Sequence, residues 1–250
     1  MLERFYNQLS PYYKYIFQDW NASVDRQATI LDEVIREYFD GHVHSILDAA
    51  CGVGTQTIGL AQKGYKLTAS DISAGEIEKA QLEASNRNLD IVFGVVDMRN
   101  LQKVHQTKFD LVIACDNAVP HLLSDDEIRQ AFEQFHQIST EQGGCIISVR
   151  DYDAIERGGR KLYPRQVHAV PQGKIIVFDC WEFDGDYYDI TMYIVEDTGD
   201  ITAKTNVIRG GRYYCVSISK LEKLMKEAGF QTVVTLKDHF FQPLLIGLKK

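Results

Sequence analysis

Three patterns are missing from this sequence, and each absence removes a class of function. No run of lysine and arginine occurs, and 27 Lys plus Arg stand against 35 Asp plus Glu, a formal net charge of −8. With no cationic excess to neutralise a phosphate backbone, neither nucleic acid nor a membrane surface is an expected partner. The five cysteines, Cys51, Cys115, Cys145, Cys180 and Cys215, are odd in number and never spaced C-x-x-C. Neither a disulfide framework nor a metal site is therefore expected, and a reducing, cytoplasmic setting is. The third absence is an apolar run long enough to span a bilayer. The opening "MLERFYNQLSPYYKYIFQDW" carries Glu3 and Asp19 and lacks the uninterrupted apolar segment of a secretory signal. Internal repeats and low-complexity linkers are missing too.

What is present suffices for one large core, or one core with an insertion: 250 residues, 45% of them hydrophobic. Val24, Ala28, Leu31, Val34, Ile35 and Tyr38 recur at helical spacing from about residue 22, and Gly41 stops that helix. "HSILDAA", "YKLTASD", "DIVFGVVD" and "FDLVIACDN" read as strands. "TQTIGLAQKG" and "SAGEIEKAQLEASNRN" read as helices between them. "SDDEIRQAFEQFHQIS" is a further helix with Ser124 as its cap, leading through Gly143-Gly144 into the strand "CIISVRD". Strands alternating with helices imply a parallel sheet with helices on both faces, because each parallel pair needs a long crossover.

From Lys174 to Arg209 the alternation stops, and β-rich runs broken by "DGD" and "DTGD" turns predict antiparallel strands. The helix "SISKLEKLMKEAGF", capped by Ser217 or Ser219 and ended by Gly229, and the strands "QTVVTL" and "PLLIGLK" complete the chain. The expected fold is α/β: a doubly wound, mostly parallel, seven-stranded sheet with an antiparallel β insertion. Residues 1–44 form a helical arm, 45–150 the core, 151–215 the insertion, and 216–250 the closing helix and strands.

In such a sheet ligands bind at the carboxyl ends of the strands, and the first strand-to-helix turn is the usual contact. That turn is "ILDAACGVGTQTIGLA", where Gly52 and Gly54 are followed by Thr57 in place of the third glycine of a dinucleotide fingerprint. Asp48 precedes the glycines, and Asp71 ends the second strand at the distance where an acid reaches ribose hydroxyls. In "VDM", Asp97 has the chemistry to accept from an adenine amino group and Met98 to lie on the ring. Each has a plain structural alternative. The glycines suit any tight turn, Asp97 a strand-end cap, Met98 a core position, and Cys51 and Cys115 small buried packing.

These motifs, in this order from Ile46 to Arg150, resemble the class I S-adenosylmethionine-dependent methyltransferases, whose first motif looks like "LDAACGVGT". The resemblance implies a Rossmann-like fold and S-adenosyl-L-methionine as cofactor, held by Asp48, Ala50, Gly52, Gly54, Asp71, Ile72, Asp97, Met98 and Cys115. Its methionine part would sit at the glycine turn, so no third glycine is required there. A narrower similarity, to glycine and sarcosine N-methyltransferases, rests on three segments. "YNQLSPYYKYIFQDWNASVDRQ" resembles the subgroup's cofactor-covering arm through Tyr6, Tyr13, Trp20 and Arg26, the last implied to bind the cofactor's carboxylate. "CDNAVPHL" matches through Asn117 and His121, implied to act in catalysis and substrate binding. "SVRDYD" matches through Arg150, implied to hold the substrate's carboxylate.

Read from the residues alone, His121 is as readily a structural histidine, and the anion beside Arg150 is either a substrate or its neighbours Asp151 and Asp153. Most tyrosines of the insertion, and Trp181, alternate as a half-buried sheet does. The function expected is methyl transfer to a small molecule, as N-methylation of an amine or amino acid. An O-methyltransferase, a protein methyltransferase and a non-catalytic cofactor-binding module are the alternatives. A nicotinamide oxidoreductase is disfavoured by Thr57 and "VDM". No strong general base is required, since an amine can lose its proton to water. The oligomeric state is left open.

Overall fold

In the computed structural model, which describes residues 1–250, the chain starts with helices α1 (Leu2–Leu9) and α2 (Trp20–Tyr38), joined through a 3-10 turn at Tyr13–Ile16. Asp19 caps α2 by accepting from the Ala22 amide at 3.0 Å, so the helix begins slightly before its apolar periodicity does. The alternating core follows as β1 (Ser45–Asp48), α3 (Thr55–Gln62), β2 (Lys66–Asp71), α4 (Ala74–Asn86) and β3 (Val92–Val95). It continues through the single turn α5 (Leu101–Val104) into β4 (Phe109–Ala114), α6 (Asp125–Ile138) and β5 (Ser139–Ser148). Next come four long strands, β6 (Arg160–Val170), β7 (Gly173–Asp184), β8 (Tyr187–Asp197) and β9 (Lys204–Tyr214). Helix α7 (Ile218–Glu227), capped by Ser217, leads to β10 (Thr232–Leu236) and β11 (Leu244–Leu248).

Seven strands form one sheet in the order β10-β11-β5-β4-β1-β2-β3. The run from β5 to β3 is parallel, and β11 lies antiparallel between β5 and β10. The chain fills outward from β1 in both directions, so a crevice opens at the carboxyl end of that strand. Helices cover both faces: Phe132, Phe135, Leu221 and Met225 pack on one, and Leu31, Ile35 and Leu60 on the other. Strands β6 to β9 make a separate antiparallel sheet. Its inward residues Trp181, Tyr188, Ile190 and Met192 cluster with Phe5 and Leu9 of α1, which docks the arm beneath this sheet.

One expectation needs correction. Gly143-Gly144 is not the entry to the fifth strand but lies inside it, since β5 already begins at Ser139. A Cβ at Gly143 would stand 2.4 Å from the Asp110 carbonyl, and one at Gly144 2.1 Å from that of Gly247. Close backbone approach, not a turn, requires glycine there. No helix is long and apolar enough to cross a membrane.

Candidate active site

The turn after β1 is built on two left-handed residues, Gly52 at φ 52° and Gly54 at φ 92°, a region that glycine enters without steric cost. Asp71, at the end of β2, accepts from the Gly52 amide through Oδ2 and from the Ser73 amide through Oδ1, both at 2.9 Å. Burial raises its pKa while these backbone bonds restrain the rise. Beneath the turn Asp48 accepts from the Thr57 hydroxyl at 2.6 Å and the Ala50 amide at 3.3 Å, and burial pushes it up to about 7. Thr57, standing where a dinucleotide fingerprint has glycine, is thus the donor that satisfies a buried acid. Glu76 lies behind Gly52, fully buried and with neither carboxyl oxygen hydrogen-bonded. Burial raises its pKa well above the usual carboxylate range, favouring the neutral acid.

The ends of β1, β2, β3 and β4 surround a cavity of about 370 Å³. It gathers Ala50, Gly52, Asp71, Ile72, Asp97, Met98, Cys115 and His121 from the expected site, and the arm adds Tyr6 and Tyr13. Asp97 is less free than its sequence suggests. Both its oxygens receive Arg99, which also bonds Glu127. Burial, which raises the Asp97 pKa, is outweighed by these bonds, and the net shift is downward. Burial raises the pKa of the Cys115 thiol far above its ordinary value, as expected for inert packing.

Other expected residues lie outside the cavity lining. Gly54 faces Ile58 and Ala80. Trp20 donates to the Thr55 hydroxyl at 3.0 Å and so braces the start of α3. Arg26 bonds Ser23 of its own helix at 3.0 Å and is exposed, because the buried face of α2 runs through Trp20, Ser23, Val24 and Gln27. Asn117 is buried, bonding the Arg150 amide at 3.0 Å and the Tyr152 hydroxyl at 2.8 Å. Arg150 lies next to the cavity, with its guanidinium donating to the Tyr188 hydroxyl at 3.1 Å and lying 5.2 and 5.5 Å from the Trp181 and Tyr213 rings. Asp151 pairs with Lys237 and Asp153 with Arg157, so neither neighbour serves as its anion.

His121 is held from two sides. Its Nδ1 lies 2.9 Å from the Arg212 carbonyl, which can only accept, so the ring proton is on Nδ1 and the Tyr6 hydroxyl donates to Nε2 at 2.6 Å. Burial pushes its pKa down to about 3, which keeps the ring neutral. Three further acids line the cavity that the sequence motifs did not single out, Glu3, Asp116 and Glu127. Asp116 stands inside the quoted "CDNAVPHL", and Asp-Asn directly after a strand is a signal of its own, both being residues that tolerate left-handed backbone.

The arrangement fits the cofactor that the motifs imply. A Cβ at Gly52 would stand 3.7 Å from Glu76 Oε2 and 4.0 Å from the Tyr13 hydroxyl, so the missing side chain leaves ligand space. Asp71 keeps lone pairs beyond its two amide donors for ribose hydroxyls. Glu3, Asp71, Asp97, Asp116 and Glu127 line the cavity against one cation, the already paired Arg99, a balance that suits a positively charged sulfonium.

Comparison with known proteins agrees. Residues 46–143 match the family described as "Methyltransferase domain". A glycine/sarcosine N-methyltransferase of Parasynechococcus marenigrum is 27% identical over 88% of this chain and 74% of its own length. The putative methyltransferase YqeM of Bacillus subtilis is 30% identical over 74% of this chain and 73% of its own. Among solved structures, an S-adenosylmethionine-bound amino pentose methyltransferase of Micromonospora echinaspora superposes with a TM-score of 0.78, covering 95% of this chain and 94% of its own at 14% identity. That last likeness is one of fold.

Proposed function

The chain belongs to the class I S-adenosylmethionine-dependent methyltransferases, and from that premise we propose that it N-methylates the amino group of a small amino acid. The observation that carries this reading is Arg150, a guanidinium flanked by two aromatic rings beside the cavity and ion-paired with no acid of the chain. An arginine fork suits a carboxylate bidentately, and a substrate carboxylate is the missing anion. The name of the glycine/sarcosine N-methyltransferase relative supports the same substrate class.

In this reading Asp71 receives the ribose hydroxyls, Gly52 leaves room for the methionine part, and Ile72 and Met98 flank the adenine with Asp97 at its edge. The bound cofactor supplies an electrophilic methyl on a positively charged sulfur. The protein contributes alignment and exclusion of water, with Tyr6 and Tyr13 as the roof. His121, neutral and tied to Tyr6, orients that roof beside the acceptor. Five free cysteines, four of them buried, fit a reducing cytoplasmic setting.

Methyl-labelled cofactor offered with glycine, sarcosine, larger amino acids, the matching carboxylate-free amines and phenols tests the assignment. Amino acids should gain methyl on nitrogen, with kcat/KM at least roughly tenfold above the carboxylate-free amines. Labelling of phenols alone would overturn N-methylation, and equal rates with and without carboxylate would remove the role of Arg150. For the cofactor site, Asp71→Ala should weaken binding by about 1 to 3 kcal/mol in calorimetry.

A further inference from the structure

We propose that Asp116 is the acceptor of the substrate's ammonium group: its carboxylate pairs with that cation and takes one of its protons, while Arg150 holds the carboxylate. The two side chains together select a zwitterion. This deepens the methyltransferase reading and rests on it.

The backbone is the first support. Asp116 and Asn117 are consecutive non-glycine residues in left-handed conformation, at φ 55° and 65°. Two such residues in succession are disfavoured, and the conformation persists only where the surroundings over-determine it. Here they do. The Ser148 hydroxyl accepts from the Asp116 amide at 2.7 Å and the Ser148 carbonyl from the Asn117 amide at 2.9 Å. The same hydroxyl donates to Gln242 at 3.0 Å. Asn117 then accepts from the Arg150 amide, so one buried side chain ties the turn that carries Asp116 to Arg150. The strained turn sets Asp116 in the cavity wall.

Capacity is the second support. Asp71 is engaged by two amides and Asp97 by Arg99, whereas the Asp116 carboxylate has a single hydrogen-bond partner, the Tyr13 hydroxyl at 3.2 Å, and no ion pair within 4.0 Å. The alternative base is worse placed. His121 has both ring nitrogens engaged, and burial pushes its pKa to about 3. Tyr13 from the arm, Arg150 after β5, Arg165 from β6 and Tyr213 from β9 face Asp116. Burial raises its pKa, and Arg150, Tyr13 and Arg165 moderate the rise.

The proton step balances without a further reactant. An amine arrives near neutral pH as its ammonium and has no lone pair to offer. One N–H bond breaks, one O–H bond forms on Asp116, and the nitrogen keeps the electron pair with which it attacks. The buried ion pair becomes a neutral pair, which a site of low dielectric favours. The proton passes to solvent when product leaves.

The test compares wild type with Asp116→Asn, which keeps size and tolerates left-handed backbone, and Asp116→Gly, which removes the side chain with its strain. Calorimetry with S-adenosylhomocysteine should give affinities within about twofold of wild type for both. Methyl transfer to glycine and sarcosine, followed from about pH 6 to about pH 10, should show kcat/KM reduced roughly 100-fold or more in both variants. Their rates should then rise with pH up to the pKa of the free amine, past the point where wild type levels off. Wild-type kcat/KM in Asp116→Asn would overturn the proposal, as would an equal loss of S-adenosylhomocysteine affinity. A wild type that binds S-adenosylhomocysteine yet methylates neither amino acid would overturn it together with the substrate assignment, leaving the cofactor site standing. A wild type that fails to bind S-adenosylhomocysteine would remove the reading beneath both.

Discussion

Tyr6 of the arm donates its hydroxyl to Nε2 of His121 at 2.6 Å, a contact between groups 115 positions apart. The same imidazole reaches the carbonyl of Arg212 in β9 and lies 3.9 Å, centroid to centroid, from the ring of Tyr213. One side chain after β4 therefore joins the arm, the core and the antiparallel sheet, and the roof of the cavity closes on it.

Tyr6→Phe keeps the ring and removes this bond, a loss of about 1 kcal/mol that leaves Nε2 without its donor. Amide hydrogen exchange in α1 should accelerate, and affinity for S-adenosylhomocysteine should fall by roughly three- to tenfold. Unchanged exchange in α1 would mean that the arm is held by its apolar contacts and by Asn7, which accepts from the Ser73 hydroxyl and the Gly75 amide.

The two turn glycines should separate by phenotype. Gly52→Val places a branched side chain at φ 52° on the cavity wall, and cofactor affinity should drop at least roughly thirtyfold along with a strain cost of about 1 to 2 kcal/mol. Gly54→Ala meets Ile58 Cδ1 at 3.0 Å outside the cavity, so the melting temperature should fall while affinity in the folded fraction is retained. Normal cofactor binding by folded Gly52→Val would refute the placement of the ligand at that turn.

Arg150→Lys should raise KM for an amino acid roughly tenfold or more and lower turnover through misalignment, with S-adenosylhomocysteine affinity unchanged. Carboxylate-free amines should be spared. Equal slowing on both substrate types would show that the guanidinium acts through Tyr188, Trp181 and Tyr213 instead.

Asp48 makes stability depend on pH. The fold holds its proton up to about 7, while the unfolded chain releases it near the ordinary value of 3.8. Its contribution is therefore present below that lower value and lost as pH rises through 7, at about 1.4 kcal/mol per unit across the window. His121, depressed to about 3, acts with the opposite sign, losing stability as pH falls below its ordinary 6.5. Asp48→Asn retains an acceptor for Thr57 and abolishes only the first effect. The variant's stability relative to wild type should climb steadily between about pH 4 and about pH 7 in chemical denaturation. A flat difference would mean that Asp48 is ionised in the fold.

Much of the fold and part of the site were legible residue by residue. Periods of two and of 3.6 mark the strands and helices, and an acid at the end of β2 is a local signal that Asp71 carries at its own position. Gly143-Gly144 misled, and the exposed position of Arg26 was not legible, for a related reason. Helix face and strand entry are read from neighbours in sequence, whereas the face that packs and the strand that approaches belong to distant segments.

By itself the sequence determined the alternating core, the antiparallel insertion, the glycine turn and the set of acids at the strand ends, because each follows from short-range periodicity and side-chain chemistry. Only the tertiary structure decided how those groups are used. It committed Asp97 to Arg99, left the Asp116 carboxylate with one hydrogen-bond partner and Arg150 with no ion pair within 4.0 Å, and bonded a neutral His121 to Tyr6. Proton affinity and spare hydrogen-bonding capacity depend on burial and on which remote residue arrives, and neither is encoded in any local stretch of chain.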